Sequence, residues 1–264
     1  MSSMSDSLRH TIWNLIFSLF EYDEAKWYSV TNFLAQFFLK FPADGIPTHL
    51  SRREWLKNRF YEMRWHEVYD FVEFFSENVR SIDRYAGLDT GQLHKIFNKL
   101  LQEELSAYRF VDGTLAPIAS QSEVNAIDEA LAASKECGLH GAHAHIQAAL
   151  TLLAKRPTPD YRNSIKESIS AVEAIAKQLG KNASGLSAAL DELDRKAPFH
   201  GALKSAFVKL YGYTSDESGI RHAILDDPSA GFDEAKYMLV TCSAFVNFLG
   251  AKASTAGLIG RSEA

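Results

Sequence analysis

The sequence predicts an all-α protein, a helical bundle in two parts, and three observations predict it. Apolar residues recur at spacings of three and four along most of the chain, which is the period of an amphipathic helix. A single stretch, 108–118, alternates as a strand would. With 264 residues, 46% of them hydrophobic and 12% aromatic, the chain can bury a large core as one big domain or two ordinary ones.

Leu8, Ile12, Leu15, Ile16 and Leu19 fall at helical spacing, and Trp13, Phe17 and Phe20 add a second apolar face, so the first helix is expected to be enclosed on most sides. Residues 24–41 repeat the pattern through Trp27, Val30, Phe33, Leu34, Phe37 and Phe38, until Pro42, Gly45 and Pro47 end it. From Ser51, cations and aromatics interleave: Arg52, Arg53, Trp55, Lys57, Arg59, Phe60, Tyr61, Arg64 and Trp65. Guanidinium groups on phosphates and rings on bases would make this a nucleic-acid surface. Leu56, Phe60 and Met63 instead make it an ordinary helix with one buried stripe. Val68, Phe71, Val72 and Phe75 mark the next helix; Leu93, Ile96, Phe97, Leu100 and Leu101 mark another. Asp112-Gly113 then admits either a short hairpin or an extended connector. The domain boundary is expected here, with an aromatic-rich helical domain over 1–118 and a second helical domain over 119–264.

Ser120 and Glu123 have capping-box spacing for a helix carrying Val124, Ile127 and Leu131. Ile146, Leu150 and Leu153 carry the following helix. Pro157 and Pro159 separate it from the next, for which Asp160 is the expected N-cap and Ile165, Ile169, Val172, Ala176 and Leu179 the core stripe. Asn163, Glu167 and Ser170 share another face of that helix, and Glu173 lies nearer the core stripe. Leu186, Leu190 and Leu193 carry a short helix that Pro198 closes, and Leu203, Phe207 and Leu210 carry another. The last helix is expected to bury Met238, Leu239, Cys242, Phe245, Val246 and Leu249, and to fray after Gly250.

A formal charge of −5 supplies no global field that would gather nucleic acid, so any RNA contact must come from a local patch. Two cysteines, Cys137 and Cys242, make no disulfide framework and favour a reducing compartment. Residues 12–20 are apolar, but Asn14 and Ser18 interrupt them and Glu21 and Asp23 follow where a signal peptide needs small residues. No stretch has the length of a membrane span. A cytoplasmic protein without membrane contact is expected.

Two stretches carry candidate chemistry. In CGLHGAHAH, Cys137, His140, His143 and His145 are residue types that suit zinc, yet the spacing matches no recognised pattern and the glycines mark a turn, so no metal is assigned. No GxxxxGK[ST] loop is present, and no cofactor is expected. In YGYTSDESGIRHAIL, over 211–225, Arg221 and His222 stand side by side where a polar, glycine-marked connection enters an apolar stretch, which would set a phosphate-binding cation beside a general base. An ion-paired Arg221 and a surface His222 fit the same pattern. Asp216, Glu217, Asp226 and Asp227 flank the pair with charge that repels phosphate unless it is paired. Asn163, Glu167, Glu173 and Asp216 are the polar residues expected to support it, with Glu167 or Glu173 able to pair with Arg221.

From Ser120 to Leu249 the chain resembles the HEPN class of helical nucleotide-binding and ribonuclease domains. YRNSIKESISAVEAIAK followed by YGYTSDESGIRHAIL is similar to proteins with an AbiJ-type N-terminal domain, named for bacterial abortive infection, and LRHTIWNLIFSLF resembles the same group. The resemblance implies anti-phage defence and metal-independent RNA cleavage, with RNA as ligand, a homodimer or higher oligomer forming the cleft, and a protein partner from the same defence system. His222 would act as base or acid, and Arg221 would stabilise charge on phosphorus. Active HEPN ribonucleases separate Arg and His by four to six residues, and this chain departs from that spacing: Arg221 is followed at once by His222. Adjacent residues on a regular helix point about 100° apart, so a turn, which Gly219 permits, or a second subunit must bring both to one phosphate. The resemblance is equally compatible with a non-catalytic HEPN-like sensor, scaffold or regulator of a partner.

Overall fold

The structure, a computed structural model, describes residues 4–48, 51–82, 89–180, 186–215 and 230–259. The chain divides into two compact units, Met1–Ala119 and Ser120–Ala264, and the all-α expectation holds: one two-stranded hairpin accompanies the helices among the described residues.

The first unit runs α1 (Asp6–Phe20), α2 (Glu24–Phe33), α3 (Arg52–Glu62), α4 (Trp65–Glu77), the single turn α5 (Val79–Ile82) and α6 (Thr90–Glu103), then β1 (Arg109–Val111) and β2 (Thr114–Ala116). Ser5 caps α1 by accepting from the Leu8 N–H, and Asp23 caps α2 by accepting from the Ala25 and Lys26 N–H groups. Asp89 and Gln92 form a reciprocal capping box on α6. The predicted stripes are buried: Ile12, Trp13, Ile16 and Phe20 from α1, Leu56 and Phe60 from α3, Val68, Phe71, Val72 and Phe75 from α4. Arg9 ties α1 to the end of α3 by donating to the carbonyls of Phe60, Tyr61 and Met63, where the helix has run out of N–H groups four residues on.

One expectation is corrected in α2. The helix widens into a π-turn over Leu34–Phe38, and the extra residue shifts the register so that Leu34 and Ala35 turn inward while Phe37 is left 53% exposed.

The alternating stretch is a hairpin. Asp112 and Gly113 both have positive φ (42° and 81°), the geometry of a tight turn matched to strand twist, and Arg109 pairs with Ala116, Phe110 with Leu115. Its two edges are closed by side chains. Asn98 of α6 bonds both the N–H and C=O of Phe110, and Glu73 of α4 accepts from the Leu115 N–H.

The second unit comprises α7 (Gln121–Glu136), α8 (His140–Ala154), α9 (Tyr161–Leu179), α10 (Leu186–Lys196), α11 (Gly201–Ser215) and α12 (Phe232–Thr255). Central α9 packs on α8, α12, α10 and α11, and α12 also covers α7 and α8. Asp160 caps α9 as expected, accepting from the Asn163 N–H. All five residues of the predicted α9 stripe are buried.

Two further expectations fail. Ser120 makes no capping bond to α7, and Glu123 instead reaches Lys236 on α12 at 3.1 Å. The last helix continues five residues past Gly250, because Ala253 is fully buried and its packing outweighs the roughly 1 kcal/mol that glycine costs a helix. Cys242 is a core residue whose burial pushes its thiol pKa up to about 12.

Candidate functional site

The α8–α9 seam is antiparallel, and small residues draw it together. Ser164 Oγ donates to the Ala149 carbonyl at 2.8 Å, and Gln178 Nε2 donates to the Gly138 carbonyl at 3.1 Å. Between these ties a Cβ on Gly141 would lie 3.1 Å from Ala174 Cβ, tighter than ordinary van der Waals contact, so glycine permits the approach.

At this separation two polar side chains meet across the seam. His145 Nδ1 lies 2.6 Å from Glu167 Oε2, with the side chains 39% and 21% exposed. A short imidazole–carboxylate contact is a charge-assisted hydrogen bond. With a proton on Nδ1 toward the carboxylate, the neutral ring carries its lone pair on Nε2, the nitrogen away from Glu167. Lys166 Nζ stands 4.0 Å from the other oxygen of Glu167.

The remaining candidates divide. Asn163 lies one turn before Glu167 on the same face of α9, and its amide donates to Asp160 Oδ2 at 2.8 Å, so it serves the helix start. Glu173 lies six residues past Glu167 and faces elsewhere; its carboxylate sits 3.6 Å from Lys177 Nζ. Arg221, His222 and Asp216 lie outside the described residues.

The histidine-rich turn splits in the same way. His143 Nδ1 is 3.1 Å from the Leu131 carbonyl on α7, His145 turns to Glu167, and His140 is exposed. Positions 140, 143 and 145 point about 60° to 160° apart around a helix. Among the described residues no group of three His, Cys, Asp or Glu side chains could hold a metal ion.

In the first unit three of the interleaved cations are engaged with the unit's own rings. Arg52 is buried, bonds Asn32 Oδ1 and lies 4.0 Å over Tyr28; Arg53 lies over Phe17 and Tyr22, and Arg59 over Phe41 and Trp55. Arg59 also pairs with Glu62 at 2.9 Å. No helix among the described residues is long and apolar enough to cross a membrane.

Sequence reasoning missed the His145 partnership. The signal was the stripe Gly141, His145 and Ala149, spaced four apart and facing Ala174, Glu167 and Ser164, which sets the register of a close antiparallel pair.

Compared with known families, residues 1–133 match AbiJ N-terminal domain 4. That span takes in the first unit and most of α7. No curated protein and no solved structure matches the chain.

Proposed function

The chain belongs to the AbiJ N-terminal domain 4 family, and from that premise we propose that it acts in bacterial abortive infection, with residues 119–264 as a HEPN-like, metal-independent endoribonuclease. The single observation that carries the defence reading is the family match over residues 1–133. The ribonuclease reading rests on the sequence of 211–225, where Arg221 and His222 are adjacent, and on the helical composition of the second unit. RNA is the substrate, the working form is a homodimer or higher oligomer, and a protein from the same defence system is its partner.

RNA cleavage without a metal needs a base at the ribose 2′-hydroxyl, an acid at the leaving 5′-oxygen and positive charge on the phosphorane oxygens. The 2′-oxygen attacks phosphorus, the P–O5′ bond breaks, and the products are a 2′,3′-cyclic phosphate and a 5′-hydroxyl. In this reading Arg221 supplies the charge and His222 carries a proton.

The test is incubation of the purified chain with end-labelled RNA in excess EDTA, beside the Arg221→Ala, His222→Ala double variant. Products ending in 2′,3′-cyclic phosphate, absent with the folded double variant, are the expected result. Equal cleavage by both proteins, or none by either, would remove the ribonuclease reading and leave the non-catalytic sensor or scaffold.

A further inference from the structure

The contact between His145 and Glu167 is more than the α8–α9 seam requires. The helices are already joined by Ser164 to Ala149 and by Gln178 to Gly138, and they close on each other at Gly141 and Ala174. His145 and Glu167 lie at the rim of that seam with part of each side chain open to solvent. An ion-paired contact between partly exposed groups adds little to stability, because solvent screens it. It does fix one thing: the imidazole is held in a single orientation, with Nδ1 on the carboxylate. Among the described residues Nε2 makes no hydrogen bond. His143, two residues earlier on the same helix, lacks this arrangement, since its Nδ1 meets a neutral main-chain carbonyl.

A carboxylate behind an imidazole stabilises the imidazolium that forms when the far nitrogen takes a proton. We propose that His145 is the general base of the RNA-cleaving reaction and that Glu167 is its positioning residue, an inference that rests on the ribonuclease reading above. Nε2 removes the proton of the ribose 2′-hydroxyl. The 2′-oxygen bonds phosphorus, the P–O5′ bond breaks as the departing 5′-oxygen takes a proton from the acid of that reading, and the imidazolium of His145 gives its own proton to solvent, which restores the acid. Atoms and charge then balance, with a 2′,3′-cyclic phosphate and a 5′-hydroxyl as products. Lys166, half exposed and next to the carboxylate, puts a cation beside this centre for the phosphate backbone.

The experiment uses the full chain, end-labelled single-stranded RNA and excess EDTA. His145→Gln keeps a donor toward Glu167 and removes the base; its single-turnover rate is expected to fall about 100-fold or more. Glu167→Gln should lower the rate by about 10- to 100-fold. In His145→Ala, added imidazole should restore cleavage in proportion to its concentration, a recovery that a lost structural bond would not show. Thermal unfolding of each variant establishes that it is folded, and Glu167→Gln with His145→Gln stand in if the alanine variant is not. Wild-type cleavage by folded His145→Gln, while the Arg221→Ala, His222→Ala variant is inactive, overturns this inference and leaves the ribonuclease reading standing. Failure of imidazole to rescue a folded His145→Ala overturns it too. A wild-type chain that cleaves no RNA overturns both.

Discussion

The two units solve the same packing problem with different residues. The first fills its core with rings: Trp13 stacks on Trp27 at 5.9 Å, Phe20 meets Trp27 edge-on at 5.3 Å, and Phe60 meets Phe71 at 5.4 Å. The second buries Ala142, Ala149, Ala171, Ser164 and Ser168 between its helices. Large rings hold helices apart and bury much apolar area per residue. Small residues let backbones approach, and hydroxyls, an imidazole and a carboxylate then bridge seams too narrow for rings. The polar chemistry follows the small residues, in α8 and α9.

The comparison breaks most visibly at Trp27, which is fully buried and donates from Nε1 to the Glu21 carbonyl at 2.8 Å. Trp27→Ala should cost about 3–5 kcal/mol. The chain's 4 tryptophans, at positions 13, 27, 55 and 65, all fall in the first unit, so tryptophan fluorescence in urea reports on that unit alone. The fluorescence midpoint should drop sharply while the circular-dichroism transition of the second unit stays in place. A common shift of both signals would mean that the units unfold as one.

The converse substitution is Gly141→Val. Its methyl groups cannot enter the 3.1 Å gap to Ala174, and overpacking of this kind costs about 1–3 kcal/mol, more than the few tenths gained in helix propensity. Circular dichroism should report the loss, with the fluorescence midpoint unmoved. An unchanged circular-dichroism midpoint would show that the seam does not depend on close approach.

These two cases mark what could be read in advance. The stripes of α1, α4 and α9 were legible because burial of one helix face depends only on local period. So was the cap at Asp160, where the partner N–H is three residues away. The π-turn at Leu34–Phe38 was not, since a widened turn leaves no mark on the spacing of apolar residues in the sequence. Glu123 had the spacing of a capping box, and what defeated it was Lys236, a residue 113 positions away. The pairing of His145 with Glu167 failed to register for a related reason. It depends on how α8 slides along α9, which Gly141 and the loop between the helices decide together. Local order was readable, and the site was set by tertiary register.

A smaller effect sharpens the account of the polar seam. Ser164→Ala removes a buried hydroxyl that bonds across the seam to Ala149 and should cost about 1 kcal/mol in urea unfolding followed by circular dichroism. Ser168→Ala, whose hydroxyl bonds only the Ser164 carbonyl of its own helix, should cost less than about half of that. Equal losses would mean that the hydroxyls act by filling space rather than by joining helices.

The smallest expected effect tests the ring-filled unit for a polar weakness of its own. His94 lies flat on Phe110, with centroids 4.0 Å apart, and its buried Nε2 has no hydrogen-bond partner. Burial lowers its pKa below the ordinary 6.5. The unfolded chain therefore binds a proton at this histidine more readily than the folded one, so its contribution is intact above pH 6.5 and is lost as the pH falls through the folded-state pKa. His94→Phe keeps the stacked ring and cannot be protonated. Between pH 7.5 and 5 the fluorescence midpoint in urea should fall less for the variant than for the wild type. Glu67, held below the usual range chiefly by its hydrogen bond with Arg64, weakens the fold on acidification from pH 4.5 downward, and Glu77, raised by burial, acts in the opposite direction. Both remain in the variant, so the difference between the two curves isolates His94. Parallel curves would show that the unit accommodates a charged imidazole beside Phe110, and that its core is less sealed than its rings suggest.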